Sequence, residues 1–310
     1  MRVKGSTLAA VAAASMISGC SRHVAPSAGE APPASASVAS TMDGAVPDAA
    51  SEITSPIPKE VVEKMLNPNH LPAYTGKTGS VEGTIFVKGE DAPDEKVDTT
   101  QCHAALDTYG KFFREGPPNA DGLRPLADAV IIAVGYSGFY VEEKNPTFSV
   151  KITENCAYPA RTIALTYGQR LDISNASKLG FAPRLDNDPN PAVMLAPPQE
   201  RGDPIHLYPR IPGHAYMVDY MQPYVREDVY IFRHPLHAVS GLDGHYRIDG
   251  IPVGKMTIGA QHPTVLSQAQ STVTIEAGVV QKADFTLEYD PKKRAEIEAN
   301  VRADAGTILR

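Results

Sequence analysis

Apolar and polar positions fall into three regimes along the chain. At the front, residues 8–17 form a short apolar run behind a basic start, Met1-Arg2-Val3-Lys4. A run of about ten residues suits a secretory signal, whereas a bilayer crossing takes roughly 20. Residues 21–56 then carry few large apolar side chains and are rich in Ala, Ser, Pro and Gly. That composition buries too little surface to offset its ordering entropy and predicts a flexible tether. From residue 57 onward, short apolar runs recur between turn residues.

The first of these runs reads as a helix over 59–66. Val61, Val62, Met65 and Leu66 share a face there, and Pro68 ends the run. After it the pattern has the period of two that strands require. Residues 80–88 are β-branched and bounded by Gly79 and Gly89, and 129–134 is a continuous apolar run expected of a strand covered on both faces. Further strands are predicted over 147–152, 161–165, 169–174, 214–220 and 228–232. Residues 179–213 are proline-rich without periodicity and predict a long surface loop or an irregular insertion. From His237 the alternation sharpens. Asp243-Gly244 signals a two-residue hairpin with both φ angles positive, Ile251-Pro252-Val253-Gly254 a second tight turn, and 256–260, 272–275 and 284–288 further strands. Residues 291–303 read as an exposed, charged helix. The sum is an all-β fold with short helices near its two ends.

Charge narrows the partners. The formal net charge is −7, and cleavage of the signal would remove Arg2 and Lys4 and leave the remainder more acidic. The basic run Lys292-Lys293-Arg294 stands alone, so nucleic acid is not an expected partner. Three cysteines occur: Cys20, Cys102 and Cys156. In an oxidising compartment, Cys102 and Cys156 read as a disulfide. Two unpaired thiols, one of them a metal ligand, is the other arrangement the count allows.

Ile17-Ser18-Gly19-Cys20 resembles the bacterial lipobox: an aliphatic residue, two small residues and a cysteine. The resemblance implies cleavage before Cys20 and acylation of that residue, and Ser21 implies sorting to the outer membrane. Val239-Ser240-Gly241-Leu242-Asp243-Gly244-His245-Tyr246-Arg247-Ile248, continued by Ile251-Pro252-Val253-Gly254, resembles the carboxypeptidase regulatory-like family, a non-catalytic transthyretin-like sandwich. The longer stretch 78–262 is similar to secreted cupredoxin-like proteins. It shares Gly79-Ser80-Val81-Glu82-Gly83, Cys102, Asn155-Cys156-Ala157-Tyr158-Pro159, Asn175, Pro212-Gly213, His234-Pro235 and His262-Pro263. Copper-binding members follow the Asn175-like position with Asp and a His-Asn pair. Here Ala176-Ser177-Lys178 follows. Where they carry a Cys and a His, this chain has Val218 and Met221, so the type 1 copper ligands are missing.

Other chemistry is sparse. Met217, Asp219 and Met221 alternate, with His214 and His206 nearby, which makes His214, Met217 and Met221 the weak candidates for a rebuilt metal site. The bland reading is that both methionines pack a core. No Gly-x-Ser-x-Gly, His-Glu-x-x-His or P-loop motif occurs. Imidazoles in His234-Pro235-Leu236-His237 and Gly244-His245 are read as surface groups, and Arg201-Gly202-Asp203 as coincidence. Tyr216, Tyr220, Tyr224 and Tyr230 could face a glycan, though strand tyrosines more often pack half-buried.

The sequence therefore predicts a signal peptide over 1–19 and a disordered tether over 20–56. A cupredoxin-like sandwich over 57–235, a carboxypeptidase regulatory-like module over 236–290 and a terminal helix or tail over 291–310 would follow. The expected function is a non-catalytic, lipid-anchored envelope protein of the outer membrane, without cofactor, that binds or scaffolds an envelope protein or glycan. The alternative is a periplasmic metal-handling or electron-transfer accessory.

Overall fold

A computed structural model describes residues 56–188, 193–297 and 299. The signal, the tether and Cys20 lie outside the described residues. No helix among those described is long and apolar enough to cross a membrane.

Among the described residues the architecture is all-β: sixteen strands in four sheets, with helices confined to short segments. Helix α1 (Lys59–Leu66) has the predicted bounds, and Val62, Met65 and Leu66 pack on the neighbouring core while Val61 stays exposed. Strands β1 (Thr78–Gly89), β3 (Val130–Val134), β4 (Thr147–Ile152), β5 (Thr162–Thr166), β6 (Arg170–Asn175), β9 (Gly213–Asp219) and β10 (Arg226–Phe232) fall on the predicted runs within two residues at either end. A one-turn helix, α2 (Leu106–Tyr109), and the short strand β2 (Arg124–Pro125) lie between β1 and β3.

Two hydrophobic cores result. The first fills the space between the sheet β5-β10-β9-β7 and the sheet β4-β6-β8, where β7 is Pro183–Leu185 and β8 is Ile205–Leu207. Leu165, Leu171, Ile173, Phe181, Met217, Val229 and Ile231 meet there. The expectation of a surface loop over 179–213 is corrected at this point. Phe181, Leu185, Ala196, Ile205 and Leu207 from that stretch are all buried in the core. Its prolines interrupt the strands into pieces too short for a period to register.

The second core lies between a sheet built on β1 and the sheet β11-β3-β13-β14, where β11 is His237–Val239, β13 is Gly254–His262 and β14 is Ser267–Ile275. β1 pairs antiparallel with β12 (His245–Pro252) and parallel with β15 (Val280–Lys282) and β16 (Phe285–Tyr289). Val81, Ile85, Ile131, Tyr246, Ile258 and Leu287 pack between the two sheets. The region 236–290 thus does not close a sandwich by itself. β1 and β3, far earlier in the chain, complete both of its sheets, and the two cores interlock in sequence.

The same exchange alters the predicted hairpin. Gly244 has φ +75, but Asp243 keeps a negative φ. The turn sends β12 onto β1, while β11 pairs with β3. Both strands find longer partners in separate sheets than in each other. Close approach sets another glycine: a Cβ on Gly83 would stand 2.1 Å from the Ala283 carbonyl oxygen, where β1 passes from β15 to β16.

Candidate functional site

The residues with chemical potential gather at the seam between the two cores. Cys102 and Cys156 form a disulfide with a Cα–Cα distance of 6.3 Å. It ties the segment that enters α2 to the turn between β4 and β5, and so places Tyr109 at the end of α2. The Tyr109 hydroxyl donates to Glu227 Oε1 and accepts the Tyr158 backbone N–H at 3.3 Å. Glu227 is fully buried on β10, one position from Asp228, and burial pushes its carboxyl up to about 8. Its Oε2 and the Tyr158 hydroxyl have no protein partner.

Beside this pair, Arg114 grips Asp128 through Nε at 2.7 Å and Nη2 at 2.6 Å, with both side chains buried. Asp128 Oδ1 also accepts the Arg161 backbone N–H at 2.8 Å, and Arg114 donates to the Pro159 carbonyl at 3.2 Å. Asp128 sits at φ +65, a conformation that Asp and Asn tolerate better than other residues with a Cβ. His262, the last residue of β13, is buried next to this group. Its Nδ1 accepts N–H bonds from Thr264 and Val265, and burial holds the imidazole down at about 4. The cluster draws on both halves of the chain and bonds them across the seam. Sequence reasoning missed Arg114, Asp128 and Glu227. The signal for Glu227 was present: it holds an inward position of the alternation that Val229 and Ile231 continue.

Residues singled out from the sequence for metal binding separate. On β9, Ala215, Met217 and Asp219 face the core, while His214 and Tyr216 face the other way. His214 Nε2 lies 2.7 Å from Asp228 Oδ1. Met217 is fully buried, and Met221 lies beyond the strand end and is 49% exposed. His206 is on β8, paired with Asp172 at 2.7 Å. Among the described residues no group of three or more His, Cys, Asp or Glu side chains is placed to hold a metal ion. The donors at the copper-site positions do not fit type 1 copper either. The Asn175 amide is spent on the carbonyls of Leu179 and Ala196, Asp219 accepts the N–H groups of Ala182, Met221 and Gln222, and Val218 replaces the thiolate.

The predicted imidazoles and tyrosines instead form a continuous ring contact on the outer face of β9 and β10. His214 lies 4.8 Å from Tyr216 and 4.7 Å from Tyr230, Tyr230 stacks on Phe232, and Phe232 stacks on His237 at 4.9 Å. His234, Tyr136 and Phe139 extend the row. His237 Nε2 lies 3.2 Å from Thr166 Oγ1, whose proton goes to Glu143 Oε2 at 2.8 Å. A nucleophilic hydroxyl must donate to the imidazole. Here it donates to the carboxylate, and Thr166 is fully buried. This relay braces β5 against β11. Tyr224 points the other way and donates to the Cys156 carbonyl at 3.0 Å. Tyr220 is 53% exposed under the Arg184 guanidinium.

No protein-family model matches the chain, and no curated protein matches it. Similar solved structures are a reduced amicyanin variant and a Cu(I) amicyanin variant. Each is 14% identical with a TM-score of 0.24 and covers 29% of this chain and 86% of its own. A copper-containing nitrite reductase from Thermus scotoductus is 13% identical with a TM-score of 0.23, over 32% of this chain and 25% of its own.

Proposed function

We propose that this chain is a non-catalytic, lipid-anchored protein of the bacterial outer membrane that presents a rigid double β-sandwich for binding or scaffolding. In the finer description the first sandwich is a cupredoxin-like shell without type 1 copper, and the second a carboxypeptidase regulatory-like module. The observation that carries the reading is the interlock of the two cores. Between β1 and β3 of the second core the chain crosses to pack Cys102, Ala105 and Tyr109 into the first core, and the Arg114–Asp128 pair bonds the seam. Interlocked sandwiches cannot hinge freely, so the surfaces they expose are preformed, which lowers the ordering cost of binding. The Cys102–Cys156 disulfide suits an oxidising compartment, and Ile17-Ser18-Gly19-Cys20 supplies the anchor.

Labelled palmitate fed to bacteria that express the chain tests the anchor. Label on the wild-type chain, lost in Cys20→Ser, together with recovery in the outer-membrane fraction, is expected. Equal labelling of both, or recovery of the wild type as unanchored protein, overturns the reading.

A further inference from the structure

We propose that the cleft beside the seam binds a small monocarboxylate carried on a ring-shaped body. The proposal rests on the binding role argued above and names a ligand class for it. The cleft encloses about 560 Å³ and is walled by five stretches of chain: α2 and its flanks, Arg161 ahead of β5, the β9–β10 hairpin, the turn after β13, and Arg294 near the C-terminus. That volume lies in the range of sites for small organic ligands, roughly 300–1,000 Å³.

Charge selects the ligand. In a chain with a formal charge of −7, three guanidiniums meet at this opening: Arg161, Arg226 and Arg294. Two carboxylates, Asp228 and Glu95, share it. Arg161 and Arg226 carry the selection, because the flat fork of a guanidinium matches a planar carboxylate in a two-bond geometry.

The guanidiniums are also prepared for a planar anion. Arg226 is exposed and lies 3.8 Å over the Tyr216 ring, and among the described residues no carboxylate is paired with it. Arg161 is fixed by Nη1 bonds to the carbonyls of Lys111 and Phe112 at 2.8 and 3.1 Å. Both groups are held by rings and carbonyls. Their forks can still accept a carboxylate in the two-bond geometry that a lysine cannot offer. Tyr224 and Pro223 give the cleft an apolar wall for the ligand's body.

The test is isothermal titration of the full chain in detergent with D-glucuronate and with benzoate, each against its uncharged counterpart, D-glucose and benzyl alcohol. The two acids separate a sugar source from an aromatic one. At least one acid is expected to bind with a Kd below about 1 mM, and its counterpart to bind at least about tenfold more weakly. Arg226→Gln, at an exposed position, should weaken the acid about tenfold, with Arg226→Lys in between. Failure of both acids to bind up to about 10 mM overturns the cleft site, as does binding that Arg226→Gln leaves unchanged. Neither result touches the anchored-scaffold reading, which the palmitate experiment decides separately.

Discussion

Arg114 and Asp128 form a buried ion pair with two parallel hydrogen bonds, at 2.7 and 2.6 Å, on the line where the two cores meet. Phe113 of the second core directly precedes Arg114, and Ala127 and Ala129 flank Asp128, all buried. The bonds from this pair reach Arg161 and Pro159 on the other side. The pair is therefore a fastener between sandwiches as well as a local contact. Removal of one partner strands a buried charge. Asp128→Ala should cost about 3–5 kcal/mol, measured by urea denaturation. Arg114→Met combined with Asp128→Asn should cost less than the two single changes summed, because neither charge is then left unpaired.

Stability should peak near pH 6.5. His237 and His262 are held near 4 by burial, below their ordinary value of 6.5, so they bind fewer protons folded than unfolded. Their contribution is present above pH 6.5 and is lost as pH falls toward 4. Glu227 has the opposite sign. Its carboxyl is raised from 4.5 to about 8, so its contribution is present at low pH and is lost as pH rises through 8. Between pH 6.5 and 9 the chain should lose about 2 kcal/mol, and Glu227→Gln should remove that alkaline limb. Equal alkaline limbs in the two proteins would refute the assignment to Glu227.

The disulfide should matter as much as a large core residue. Cys102 and Cys156 are 54 residues apart, and closure of such a loop is worth roughly 4 kcal/mol in the chain-entropy account. The Cys102→Ala, Cys156→Ala variant should melt well below the wild type, and reductant should lower the wild type to match it.

Met217 and Met221 should part company on substitution. Met217→Ala empties a fully buried site in the first core and should cost about 2–5 kcal/mol. Met221→Ala, at a half-exposed position past the strand end, should fall within about 0.5 kcal/mol of wild type. Copper titration of both variants checks the metal-handling alternative directly. A tight Cu(I) site lost equally in both would contradict the geometry, which sends the two side chains to different surroundings.

Gly83→Ala should be poorly tolerated. The added methyl would meet the Ala283 carbonyl at 2.1 Å, in a place where β1 holds parallel partners on both sides of the crossing. A loss of at least about 2 kcal/mol is expected, read as a drop in melting temperature.

Much of the molecule was legible from the chain alone. The β-branched run at 80–88, the alternation at 147–152 and the short run at 228–232 marked strands that the structure bears out, because a strand's period of two is a local property of the backbone. The helix at Lys59–Leu66 and the turn at Gly244 were equally local. Two cysteines after Cys20 left either a disulfide or two free thiols, and the structure decides for the Cys102–Cys156 disulfide. What lay beyond local reading was partnership. Nothing in residues 236–290 says that they need β1 and β3 to close their sandwich, since hydrogen bonds between strands carry almost no sequence code. Glu227, Arg114 and Asp128 looked like ordinary charged residues. Only when the two cores met did they become buried, paired and shifted in their titration. The residues 181–207 looked like loop because prolines broke their periodicity, yet the space between two sheets drew their apolar side chains inside. The sequence by itself determined most of the longer strands and the candidate anchor. The tertiary structure decided which strands share a sheet, and with that which polar groups lose their water.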